Sequence, residues 1–268
     1  MLSEETQHKL MEMRMHGLAA SFGEYLGERR HDKLTFEERF GLMVDREWTE
    51  RQQRRIRNRL GSARLREAAC VEDVNYRHPR NLDRSVFQRL TRCQWVVEHE
   101  NILITGATGL GKTWLACALA NKACRDGYSA LYLRVPRLMH SLQIARADGS
   151  YMKTLAKLAK TDVLVLDDLG ISPLEPHERQ DLLEVIEDRH GLRATVAISQ
   201  VPINKWHDTI GDPTIADACL DRLLNKAHRI ELNGRSMRDP DGKPEPDPKN
   251  HLTAAPKEKK QTRQSRSV

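Results

Sequence analysis

The clearest chemistry in this chain of 268 residues lies in Gly106, Ala107, Thr108, Gly109, Leu110, Gly111, Lys112 and Thr113. They match the phosphate-loop pattern G-x-x-x-x-G-K-[ST] at every fixed position. Gly106, Gly109 and Gly111 allow a tight turn that aims successive backbone N–H groups at a triphosphate. The Lys112 ammonium is expected to reach the β- and γ-phosphates. The Thr113 hydroxyl completes the shell of a magnesium ion, and Trp114 closes the nucleotide-contacting stretch. Two acids, Asp167 and Asp168, follow the apolar run Val163 to Leu166. An acid at the tip of a buried strand beside such a loop holds magnesium, a role assigned to Asp167. Asp168 is then placed to orient or polarise the attacking water. Aspartate is one methylene shorter than the glutamate that most ring ATPases carry there, so hydrolysis is expected to be slow or to await a partner. Gln200, with Ser199 in reserve, is expected to touch the γ-phosphate or its water. An ordinary polar strand end is the competing reading. Arg222 is the last candidate, acting on a neighbouring copy's γ-phosphate, pairing with Asp221, or simply exposed.

These residues need strand tips and helix starts to hold them. Asn101 to Thr105 is a β-prone run directly before the glycine loop, and Lys112 to Cys124 is apolar on one face and ends near Gly127. Further strands are expected at 130–135, 163–166, 194–198 and 228–232, with helices at 136–147, 150–160, 177–190 and 213–226. Short apolar strands alternating with helices predict a parallel sheet covered on both faces. Asp212 and Pro213 read as an N-cap followed by proline at the first helical position. Residues 1–70 read as a helical domain, with one helix starting near Ser3 and another near Thr35. The second carries Phe40, Val44, Trp48, Ile56 and Leu60 along a stripe. A connector with a short helix from Arg84 to Trp95 fills 71–98, and the ATPase domain spans 99–238. The tail 239–268 holds five of the eleven prolines and a basic end, and is read as disordered.

Net charge is +6, which permits a nucleic-acid partner without requiring one. Its distribution says more. Residues 51–66 contain seven arginines and no acid. Arg51, Arg55 and Arg59 repeat at helical spacing, where like charges repel. With Arg54 and Arg57 they form a cluster that is either a solvated face or a contact for phosphate backbone. No aromatic residue is interleaved there, which argues against base stacking. The five cysteines are scattered without zinc spacing and read as packing residues of a reducing, cytoplasmic compartment. No apolar run is long enough to span a membrane, and the amino terminus lacks an apolar signal core.

Several stretches together resemble the IstB-like ATPases, helper proteins encoded beside the transposase in one class of bacterial insertion sequence. They are residues 106–116, 163–170, 198–202, 206–218, 221–223 and 234–238, joined by 34–40 and 61–65 nearer the start. The run Gly211 to Asp217 and the group Gly234, Ser236, Met237 and Arg238 are the most specific of these. The resemblance extends to the helicase loader DnaC and the AAA+ initiators. It implies an AAA+ sheet of order 5-1-4-3-2, numbered along the chain, and ATP and magnesium as cofactors. It also implies ATP-dependent assembly into homo-oligomers, binding to duplex DNA, and stimulation of a transposase at its target. Little sequence preference is expected, because nothing in the sequence resembles a base-reading module. Arg222 then becomes an arginine supplied to the neighbouring subunit. Too little sequence follows the last strand for a full helical lid, which leaves Arg238 as a stand-in for a lid arginine.

The expected function is therefore a DNA-stimulated ATPase of transposition. A loader of a replicative helicase shares the same site and differs in its partner. A monomeric phosphotransferase would need an acceptor pocket and no arginine from a neighbour.

Overall fold

The computed structural model describes residues 2–27 and 34–238; the expected disordered tail, 239–268, lies outside the described residues. Two short helices open the chain, α1 (Leu2–Glu12) and α2 (His16–Gly27), separated where Arg14 takes a left-handed backbone. The long helix α3 (Phe36–Ala63) starts at a capping box. The Thr35 hydroxyl accepts from Glu38 N while Glu38 accepts from Thr35 N, which satisfies two backbone donors that a helix start leaves unpaired. The connector helix expected over 84–95 is two pieces, α4 (Arg84–Leu90) and α5 (Gln94–Val97). Cys93 breaks it by adopting φ 57°, and the Leu90 carbonyl accepts from both Cys93 N at 3.1 Å and the Trp95 indole N–H at 2.9 Å.

From there strands and helices alternate. In order come β1 (Ile102–Gly106), α6 (Lys112–Arg125), β2 (Ala130–Arg134), α7 (Val135–Ala147), α8 (Tyr151–Lys160), β3 (Val163–Asp167) and α9 (Pro176–Glu187). Then follow β4 (Ala194–Ser199), α10 (Trp206–Ile210), α11 (Pro213–Leu224) and β5 (His228–Leu232). The five strands are all parallel in the order β2-β3-β4-β1-β5, the 5-1-4-3-2 sheet anticipated. Asp212 caps α11 as expected, accepting from Ile215 N at 3.0 Å.

Successive strand residues face opposite layers. Ile102, Ile104, Val163, Val165, Val196 and Ile198 pack under α6, whereas Leu103, Leu164, Leu166 and Ala197 pack against α7, α8, α9 and α11. The central strands are buried almost throughout and mostly apolar for that reason, while edge strand β5 alternates, with Arg229 and Glu231 exposed. Helix α3 is fixed to the first of these layers through Leu60 and Ala63. Its stripe does not stay covered: Ile56 and Leu60 are half-buried, but Phe40, Val44 and Trp48 are exposed. Beneath the sheet, Arg189 is 1% exposed and bridges loops by donating to the carbonyls of Leu158, Thr161 and Ala194. Burial without a carboxylate partner pulls its pKa down to about 9.

Candidate functional site

Strand β1 leads to β2 on one side of the sheet and β4 leads to β5 on the other. A crevice therefore opens between the adjacent tips of β1 and β4, where ligands of such sheets bind. The glycine loop fills that crevice. Gly106, Gly109 and Gly111 all have positive φ, at 141°, 86° and 80°. At Gly106 a side chain is excluded twice over, since a Cβ would lie 2.3 Å from the Leu232 carbonyl oxygen. The loop runs into the start of α6, whose unpaired N–H groups and dipole favour an anion. Leu110 contributes backbone only, its side chain being buried.

A cleft of about 600 Å³ lies over this loop. Lys112 is buried there, and its ammonium donates to the Ala107 carbonyl across the loop at 2.8 Å. Desolvation lowers its pKa, and Asp167 and Asp168 counter the effect. The Thr113 hydroxyl donates to Asp167 Oδ2 at 2.8 Å. Asp167 is 2% exposed and also accepts from the Tyr132 hydroxyl at 2.6 Å. One hydroxyl and one carboxylate at the loop–strand junction suit a hard dication that takes its remaining oxygens from phosphates and water. The donor set fits magnesium in that respect. Asp168 holds a left-handed backbone at φ 60° and pairs with Arg134 at 2.5 Å. Gln200 Oε1 accepts from the Thr108 hydroxyl at 2.7 Å, which ties the tip of β4 to the loop. Ser199 is engaged in the fold instead, donating to the Leu169 carbonyl and accepting from Val201 N.

The structure thus gathers Lys112, Thr113, Trp114, Asp167, Asp168 and Gln200 around one cleft. It does not bring Arg222 there. That side chain is 26% exposed at the end of α11, ion-paired with Glu187 and donating to the Ala218 carbonyl. The arginine cluster lies elsewhere again, on α3, and is less uncompensated than its own segment implies. Glu47 pairs with Arg51 at 2.5 Å and Glu50 with Arg54 at 3.3 Å, both from one turn upstream. Among the described residues no acid pairs with Arg55, Arg57 or Arg59.

Sequence reasoning missed several cleft residues. Arg134 stands opposite Asp167 in the β2–β3 register, and the strand-tip logic applied to Gln200 could have found it. Arg66, last of the seven arginines, reaches the cleft and faces the Tyr132 hydroxyl, whose hydrogen bond raises its pKa. Burial first, and then Asp167, raises the Tyr132 pKa. Arg80 and Met237 also line the cleft, and no local pattern marks either. Arg238 lines it beside them and adds positive potential at Lys112.

Sheet order, loop and paired acids define a phosphate-loop nucleotide-binding protein of the AAA+ class. Within that class the chain belongs to the family of IstB-like ATP binding proteins, whose model matches residues 8–243. It is similar to an insertion sequence ATP-binding protein of Sinorhizobium fredii, 47% identical over 238 residues, which cover 89% of this chain and 97% of that protein. The ATP-binding protein of insertion sequence IS1162 from Pseudomonas fluorescens is 46% identical over 203 residues, covering 75% and 88%. Among solved structures, that of DnaI aligns with a TM-score of 0.54 at 22% identity, covering 66% of this chain and 94% of that one. The DnaC helicase loader aligns at 0.50 and 20% identity, covering 58% and 93%. At such identities these two likenesses show the fold alone. Among the described residues no helix is long and apolar enough to cross a membrane.

Proposed function

We propose that this protein is an ATPase that assembles on duplex DNA through ATP-bridged contacts between copies and assists a transposase in target selection. The observation that carries the reading is the separation of Arg222 from a cleft that otherwise holds every γ-phosphate candidate. A charge needed at the transition state but lying outside its own chain's cleft is one that a neighbouring copy can supply. The insertion-sequence relatives support the transposition context.

In this reading the loop N–H groups and Lys112 bind the triphosphate. Thr113 and Asp167 would hold magnesium, which would supply charge neutralisation at the phosphates. Asp168 orients and polarises the attacking water once Arg134 releases it. A partly exposed pair of this kind is worth on the order of 1 kcal/mol, so triphosphate binding readily offsets its loss. Gln200 positions the water from the other side. Residues 1–70 act as the DNA-binding domain, with 71–98 as connector and 99–238 as the motor. Arg55, Arg57 and Arg59 contact phosphate backbone, and Arg51 and Arg54 join them only by leaving their glutamates. Each copy then contributes a few phosphate contacts, and assembly multiplies them.

Particle size of the purified protein with duplex DNA, measured with and without ATP, tests the reading. Large particles are expected only when both are present. A monomer that binds DNA equally well without nucleotide would end it.

A further inference from the structure

Past β5 the described chain runs back across the nucleotide site as a strap, residues 233–238. Asn233 N donates to the Arg80 carbonyl at 3.1 Å, and Met237 N donates to the Gly109 carbonyl at 2.9 Å. Two glycines permit this approach. A Cβ on Gly234 would lie 2.3 Å from the Pro79 carbonyl oxygen, and one on Gly109 would lie 2.1 Å from Ser236 Oγ. Three separate stretches meet here: the connector, the phosphate loop and the strap.

Arg80 joins all three. Its Nη1 donates to the Leu110 carbonyl of the loop at 2.8 Å and to Met237 Sδ of the strap at 3.1 Å. Its Nη2 donates to the Asn75 carbonyl of the connector at 3.3 Å. The residue is 2% exposed, its Nε has no partner, and among the described residues no carboxylate pairs with it. Burying a cation without a counter-charge is costly. Three neutral acceptors compensate only part of that cost. An anion in the adjoining cleft would offset more, and Arg80 lines that cleft.

We propose that Arg80 is a positioning residue that latches the strap 233–238 over the phosphate loop, so that opening of the latch governs how long nucleotide stays bound. The strap thereby does the work for which other folds of this class use a helical lid. The proposal rests on the reading of the cleft as the ATP site.

The test is displacement of a fluorescent ATP analogue from the full chain by excess ATP, followed by stopped flow. Arg80→Met is expected to raise the dissociation rate constant about tenfold or more, the scale of one lost charge-assisted hydrogen bond. Association should not slow, whereas a merely disordered loop would slow it. Arg80→Lys should recover part of the effect, since an ammonium can replace some of the donors but not the planar fork. Gly234→Ala leaves Arg80 and the loop intact but forces the strap away from Pro79, and it should speed dissociation in the same way. It also carries the test if Arg80→Met does not fold. Wild-type dissociation in folded Gly234→Ala overturns the latch, as does slowed association in Arg80→Met. If instead the wild-type chain fails to bind the analogue, or Lys112→Ala binds it as tightly, the ATP reading itself falls and the latch with it.

Discussion

At the residue scale, the site is governed by which hydroxyls and cations reach the two adjacent aspartates. Asp167 Oδ2 accepts from both Thr113 and Tyr132, and Asp168 N donates to Asp167 Oδ1 at 2.8 Å. These bonds fix the carboxylate before any dication arrives, and outer partners of this kind commonly change metal affinity by about 10–100-fold. Tyr132→Phe removes the hydroxyl with little loss of volume. The magnesium concentration needed for half-maximal ATP hydrolysis should rise within that range, while metal-free nucleotide binding holds. An unaltered magnesium requirement would show that Thr113 and the backbone suffice to orient Asp167.

At the element scale, α3 meets two different surroundings along its length. Its last turns, through Leu60 and Ala63, are built into the core under α6. Its middle exposes arginines, and the turn before them supplies the glutamates that neutralise two. Helix periodicity explains the pairing, because Glu47–Arg51 and Glu50–Arg54 are both four residues apart. If α3 meets DNA as proposed, the contribution is expected from Arg55, Arg57 and Arg59. Replacing these three with glutamine should flatten the dependence of log affinity on log salt by up to about 2.7, if each meets one phosphate of duplex DNA. Replacing Arg51 and Arg54 should change the slope less. An equal effect from both sets would mean that the ion pairs open on DNA, and no effect from either would return α3 to a solvated face.

At the scale of the whole molecule, completeness of the site is the question. One chain brings loop, acids and Gln200 together but keeps Arg222 at the end of α11 against Glu187. If a second copy lends its Arg222, then Lys112→Ala and Arg222→Ala should each be inactive alone. Mixing them should restore a measurable part of the ATPase rate, because mixed contacts join an intact pocket to an intact arginine. No recovery, together with full activity of Arg222→Ala alone, would assign that arginine to holding α11 against α9.

The sequence by itself determined the phosphate loop, the strands and the paired acids. Each is a local pattern: glycines where backbone φ is positive, apolar runs where both faces are buried, and polar residues where a strand ends. The cap at Asp212 was legible for a related reason, whereas the sheet order followed only from the resemblance to a known family. The break at Cys93 was not, because a single left-handed residue followed by an indole that returns to the Leu90 carbonyl has no periodic signature. Nor could the segment 51–66 reveal that its first two arginines were paired, since their glutamates lie just upstream of it. Only the tertiary structure decided how the nucleotide cleft is walled and covered. Arg80, Arg134 and Met237 come from a connector, one strand and a strap that are far apart in sequence. Their meeting depends on chain crossings and close backbone approach, which no local pattern encodes.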